Sequence, residues 1–237
     1  MSPPMPLDAP AKRLLDNVVW HSLIGRQARF ASGTGRARRF AKGFSPLLGF
    51  EDPERADFDA IAPFCDAGEP FYCDGWSGAA PAGWQIEFES TMFKMVWQGA
   101  ASVQDEAPDA APLCAAHAAR AVELARLTKP GPFDLRTIEL GEYFGYFEGA
   151  RLIAMAGERL EAGRLREISG VCTHPDARGR GLAHRLMTKL LHRQLRRGQL
   201  PFLHVMRENH AARTIYQRMG FRDSLESTVR VVARRPV

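Results

Sequence analysis

The chain has 237 residues, 45% hydrophobic and 25% charged, with a net charge of +5. That length and balance exclude a disordered chain and allow one large or two small packed domains. Its four cysteines, Cys65, Cys73, Cys114 and Cys172, lack CxxC spacing, which argues against a zinc site or a disulfide framework and for reduced thiols.

In chain order, residues 1–10 hold four prolines and are expected to form a loose arm. They contain no apolar core of the kind a signal peptide carries, and no run approaches the about 20 apolar residues of a membrane span. A cytoplasmic protein without membrane association is expected. Lys12 to Phe30 begins as a helix, with Leu15, Val18, Val19 and Leu23 on one side. The basic cluster Arg26, Arg29, Arg36, Arg38, Arg39 and Lys42 also contains Phe30 and Phe40. It admits an RNA-binding reading, but a basic edge with two core phenylalanines is preferred, so nucleic acid is set aside as a partner. Extended segments are expected at Arg38–Phe50, broken at Pro46, and at Phe71–Cys73 and Trp84–Trp97, with a short helix at Asp57–Phe64.

Gln104 to Pro112 (QDEAPDAAP) has the composition of a linker. It divides the chain into residues 1–103, 104–112 and 113–237. Beyond it, Ala115–Leu127 is predicted helical. Thr137–Leu140, Tyr143–Glu148, Arg151–Leu160 and Leu165–Thr173 read as strands joined by Gly-containing turns. A helix follows from Gly181 to Arg197, then a strand at Pro201–Val205, a helix at Asn209–Met219 and a last strand at Phe221–Ala233.

The chemistry concentrates between Glu167 and Met187. A strand with Ile168, Val171 and Cys172 feeds the turn Arg178-Gly179-Arg180-Gly181 and then a helix beginning at Leu182 and Ala183. Unpaired backbone N–H groups and the positive end of the dipole suit a phosphate or pyrophosphate at such a helix start. The turn is neither GxxxxGK[ST] nor GxGxxG. It fits Arg-x-x-Gly-x-Ala at Arg178, Gly181 and Ala183. A second pattern, Asn-x-x-Ala-x-x-x-Tyr-x-x-x-Gly-Phe, fits Asn209, Ala212, Tyr216, Gly220 and Phe221. Through these two motifs the sequence resembles the GNAT superfamily of acyl-CoA-dependent N-acetyltransferases, over about residues 115 to 235.

The resemblance implies an α/β fold with a mixed, mostly antiparallel sheet flanked by helices. It also implies acetyl-CoA as acyl donor, no metal, and direct transfer to an amine in a ternary complex. Residues 1–103 lack a cofactor turn and read as a divergent, degenerate GNAT-like half, as in the glycine N-acyltransferase-like branch. The pyrophosphate would lie on Arg178, Gly179, Arg180, Gly181, Leu182 and Ala183. A splayed or bulged strand at Val171, Cys172 and Thr173 would hold the thioester carbonyl, and Asn209 and Tyr216 would face the pantetheine arm. Tyr216 would be the general acid for the departing thiolate. Glu167 would be the general base, its pKa raised by burial. Ser169 and Glu158 are candidates for the acceptor pocket. Cys172 is read as a buried thiol and His174 as a loop-shaping residue. The acceptor is a small-molecule amine or a peptide N-terminus; its identity, the acyl chain length and the oligomeric state are not legible. The competing reading is a non-catalytic acyl-CoA sensor.

Overall fold

The structure, a computed structural model, describes residues 7–236. The proline arm falls mostly outside them, but its last residues already belong to a helix. Asp8 caps α1 (Ala9–Asp16) by accepting from the Ala11 N–H at 2.9 Å, with Pro10 in the first turn, where no amide donor is needed. Asn17 breaks the helix with φ −129° and donates from Nδ2 to the Phe50 carbonyl at 2.8 Å; α2 (Val18–Ile24) follows.

The first hundred residues continue as β1 (Ala31–Gly33), β2 (Ala37–Phe40), β3 (Leu47–Phe50), α3 (Phe58–Ile61), β4 (Pro70–Asp74) and β5 (Trp84–Trp97). The remainder is β6 (Ala111–Pro112), α4 (Ala118–Thr128), β7 (Tyr143–Glu148), β8 (Arg151–Ala162), β9 (Leu165–Thr173), α5 (Leu182–Arg196), β10 (Leu200–Met206), α6 (His210–Met219) and β11 (Phe221–Arg234). This is the mixed, mostly antiparallel α/β architecture the sequence led us to expect. One expected strand is corrected: Thr137–Leu140 is a 3-10 helix. The Thr137 hydroxyl accepts from the Asp134 N–H, the Thr137 N–H donates to the Asp134 carbonyl, and Arg136 pairs with Glu139 three residues on. These short-range bonds close the chain into a turn that an extended backbone could not make.

All the strands form one sheet, in the order β1-β2-β3-β4-β11-β5-β10-β9-β8-β7-β6. The order and sense of pairing repeat outward from the central β11–β5 pair. On one side β4 is antiparallel to β11 and parallel to β3, which is antiparallel to β2. On the other, β10 is antiparallel to β5 and parallel to β9, which is antiparallel to β8. The last strand of each half lies beside the other half's strands: β5 against β10, and β11 against β4.

Side chains tie the halves together further. On one face of β8–β10, Leu186, Met187, Leu190 and Leu191 of α5 pack against Ile153, Ala156, Ile168 and Leu203. The opposite face is covered by Leu15, Val18, Val19 and Leu23 of α1 and α2, which pack against Leu160, Leu165 and Phe202. Lys94 of β5 is fully buried, paired with Asp74 of β4 at 2.6 Å and donating to the Leu15 and Asp16 carbonyls. Residues 104–112 are docked on α5: Lys189 reaches Asp105 and the Ala107 carbonyl, and Arg185 reaches Asp109. The basic cluster near the N-terminus is largely ion-paired, as in Arg39–Glu69, Arg36–Glu51 and Lys42–Asp66. Phe40 is buried and Phe30 packs against the core. Among the described residues, no helix is long and apolar enough to cross a membrane, and no group of three potential ligands could hold a metal ion.

Candidate active site

The parallel strands β9 and β10 pair at only three positions, Leu165–Leu200, Arg166–Pro201 and Glu167–Phe202. Beyond this point β9 continues to Thr173 and β10 to Met206 without further pairing, so the sheet forks. Within the fork β9 is bulged. Its register against β8 jumps between Ser169–Gly157 and Cys172–Met155, placing Gly170 and Val171 opposite one residue. Gly170 takes φ +63°, a conformation that suits glycine, and the extra residue turns local backbone amides out of the ladder. Val171 packs toward the α5 face, whereas Cys172 is buried in the cluster under α4. Burial pushes the Cys172 thiol up to about 11. Thr173 is half-buried at the end of the strand.

Next comes the turn. His174 shapes it by accepting from the Asp176 N–H through Nδ1 at 3.2 Å. Gly179 and Gly181 adopt φ +76° and +72°, both are exposed, and a Cβ at either would meet nothing within 4 Å. Gly181 is the N-cap of the 15-residue α5 and offers no side-chain oxygen to the helix's first amides. Those donors, with the helix dipole behind them, form an open anion cradle. Leu182 is buried and anchors the helix, and Ala183 is half-buried. Arg180 pairs with Glu148 at 2.5 Å. Arg178 is exposed and has no side-chain partner among the described residues.

On α6, Asn209 is the N-cap and accepts from the Ala212 N–H at 3.1 Å. Tyr216 is half-buried and packs against the α5-side core, its ring 6.3 Å from that of Phe221. Burial pushes its phenol up to about 12, with a smaller contribution from nearby Cys172. That proximity brings Tyr216 to the bulged strand. Among the described residues its hydroxyl has no hydrogen-bond partner.

The electrostatics at Glu167 correct the expectation of a raised pKa. The residue is 1% exposed, and burial alone would push its carboxyl up. Arg159 outweighs burial with a bidentate pair at 2.7 and 2.9 Å, helped by His204 Nδ1 at 2.7 Å, and holds the carboxyl well below the usual range. The Leu160 N–H also donates to it. Glu158, the other candidate on this side of the sequence, faces α5, where it meets Gln194, Arg166 and Arg197. Ser169 is paired with Gly157, which lies opposite Tyr143.

Three residues of this neighbourhood were missed by sequence reasoning: Arg159, His204 and Tyr143. Arg159 carried a usable signal, a charge inside the apolar run Leu152–Leu160. The alternation on β8 and β9 puts Arg159 and Glu167 on one face. His204 and Tyr143 carried none, since their role depends on strand order. Tyr143 lies over the bare backbone of Gly157 and against Gly170, where an added Cβ would come within 2.1 and 3.3 Å of its ring.

On this same face a cavity of about 530 Å³ opens between the two halves. Pro46, Glu69 and Tyr72 line it from one side, and Arg126 of α4 with Lys129, Phe133 and Asp134 of the loop after it from the other. Phe133 stands edge-on to Tyr143 at 5.7 Å.

Comparison with known proteins agrees with this geometry. The FR47-like protein family matches residues 143–231, which span β7 to β11. A solved structure from Novosphingobium aromaticivorans, assigned to the GNAT family as an acetyltransferase, is 31% identical with a TM-score of 0.81. The match covers 94% of this chain and 99% of that one. A GCN5-related N-acetyltransferase-like protein from Streptococcus suis shares the fold at 14% identity and a TM-score of 0.58, over 96% of this chain and 99% of that one. A GCN5-related N-acetyltransferase from Kribbella flavida does so at 14% identity and 0.56, over 96% of each chain. No curated protein matches the sequence.

Proposed function

The chain belongs to the GNAT family of acetyltransferases, and from that premise we propose that it transfers an acetyl group from acetyl-CoA directly to an amine. The observation that carries this reading is the forked, bulged β9 leading straight into an exposed glycine turn at the start of α5.

The residues present fit an acyl-CoA. Both turn glycines leave the backbone open, so the N–H groups from Gly179 to Ala183 can hold a pyrophosphate, with Arg178 free to add charge. Val171, Cys172 and Thr173 lie where β9 has left β10, so the backbone there can hold a thioester carbonyl and its developing negative charge. Acetyl-CoA supplies the acetyl group as a thioester. Tyr216, its phenol protonated at neutral pH, serves as the proton donor to the departing sulfur. Asn209 orients α6 through its cap and thereby Tyr216. The Cys172 thiol stays protonated, which argues against an acyl-cysteine route. Glu167 takes part in proton handling through its hydrogen bond to His204.

We place the acceptor, a small-molecule amine or a peptide N-terminus, on the face of the sheet away from α5. The half preceding residue 104 is the degenerate counterpart of the catalytic half, as in the glycine N-acyltransferase-like branch. The shared strand order supports this, since the glycine turn occurs on one side alone. The four free cysteines fit a reducing cytoplasm.

The test is thiol release from acetyl-CoA across a panel of amines. Turnover is expected with at least one acceptor, and Tyr216→Phe should lower kcat by about 100-fold while acetyl-CoA affinity changes less than about twofold. Tight acetyl-CoA binding without turnover for any amine would replace this reading with that of a sensor.

A further inference from the structure

We infer that His204 is the group that accepts the amine's proton, with Glu167 holding its ring in position; the inference rests on the acetyl-transfer reading above. His204 lies on β10 two residues past Phe202, the last position paired with β9, so it sits at the mouth of the fork. Its Nδ1 is 2.7 Å from Glu167 Oε1. Because Glu167 is held ionised by Arg159, it can only accept there, which makes Nδ1 the donor, so that in the neutral ring Nε2 is the nitrogen that carries the lone pair. Nε2 is buried and has no hydrogen-bond partner among the described residues.

A second buried polar atom without a partner, the Tyr143 hydroxyl, belongs to the same face. Tyr143 lies opposite Gly157 in the row that continues to Ser169, and it is close enough to Glu167 and Arg159 to feel both charges. The other unpartnered buried atoms among the described residues, on Arg166 and Gln194, belong to the Glu158 cluster toward α5. Buried polar atoms normally find partners, so two orphans flanking one carboxylate suit a polar guest. The cavity borders this place through its wall residues. Its wall residue Phe133 abuts Tyr143 and lies 3.6 Å from where a Cβ on Gly170 would be, and Tyr72 is near enough to Arg159 to influence it. An amine entering from this side meets the bulge from the face opposite α5.

The step balances as follows. The amine nitrogen bonds to the carbonyl carbon and gives its proton to His204 Nε2. The carbon–sulfur bond breaks, and the sulfur takes the Tyr216 proton. Solvent then returns the proton from His204 to Tyr216. The products are an amide and a free thiol. The charged and titratable groups facing His204 are Glu167 and Arg159, Lys94 with its partner Asp74, and Tyr143; Lys94 is directly opposite His204 in the β5–β10 ladder. From α1, backbone carbonyls alone reach this set, at Lys94.

The test uses the full chain. His204→Gln is expected to lower kcat about 100-fold and to leave the acetyl-CoA Kd within about twofold by calorimetry. If His204→Gln keeps the wild-type rate, the proton-accepting role is overturned while acetyl transfer stands. If the wild type turns over no amine at all, both fall. An independent readout needs no acceptor: nitrogen NMR of the wild-type imidazoles should show the neutral His204 ring with Nδ1 protonated and Nε2 bare. A proton found on Nε2 overturns the proposal. Glu167→Gln should move that tautomer balance. An unchanged balance in a folded Glu167→Gln variant removes the positioning role.

Discussion

The two βαβ connections of the sheet make an instructive pair. In both, a strand runs parallel to its neighbour for two or three positions and the chain crosses between them through a helix: β3–α3–β4 on one side, β9–α5–β10 on the other. The second crossing begins with Arg178-Gly179-Arg180-Gly181 and a 15-residue helix. The first begins with Glu51-Asp52-Pro53-Glu54, and Asp57 caps a helix of only four residues with its own carboxylate. A side-chain carboxylate on the first amides occupies the donors that a phosphate would need, and four acidic residues in the stretch repel it. The same topology is thus an anion cradle where glycine leaves the helix start bare, and a plain structural crossing where acid fills it.

Breaking what the halves share should have the largest effect. Lys94→Ala would strand Asp74, which is only 7% exposed, and should cost about 3–5 kcal/mol, read as one denaturation transition for both halves. Breaking what distinguishes them comes next. Gly181→Asp should weaken acetyl-CoA binding by at least about 100-fold, close to 3 kcal/mol, by putting a carboxylate into the cradle, whereas Asp57→Gly should create no such binding. Calorimetric titration measures both.

A pH effect of intermediate size belongs to Glu167. Burial opposes its ionisation, but Arg159 and His204 prevail, so its folded pKa lies below the unfolded value of about 4.3. Its contribution to stability is present above that value and is lost as pH falls toward the folded pKa. Acid titration of the melting temperature should therefore show a decline below about pH 4.3, one that Glu167→Gln flattens. Smallest are the caps: Asp57→Ala and Asn209→Ala should each cost about 1 kcal/mol, and only the second should also reduce turnover.

Most strands were legible because their punctuation was local. The hairpins at Gly149 and Gly163 turn through left-handed glycines, φ +57° and +58°, and β7 has the bounds expected from the sequence. The glycine turn before α5 was legible for the same reason, since its residues are contiguous. Thr137–Leu140 failed because side chains three residues apart bond to each other, a preference that apolar alternation does not reveal. Glu167 was located, but its charge state was not. Its partners are Arg159, eight residues before it, and His204, 37 residues after it, and only the strand order brings them together. The pairing of β5 with β10 was equally hidden, because β-pairing is written in no single segment.

The exchange of β5 and β11 between the halves also fixes the order in which the molecule can be made. Ser227 of β11 donates to Asp74 of β4 at 2.6 Å across 153 residues of sequence. During synthesis β4 emerges long before the strand that will cover its edge, so the early half waits with that edge open. Such long-range closure slows folding and calls for protection of the nascent edge. The proposed acyl-transfer site, whose fork is walled on one side by β10 resting on β5, likewise draws on strands from both halves.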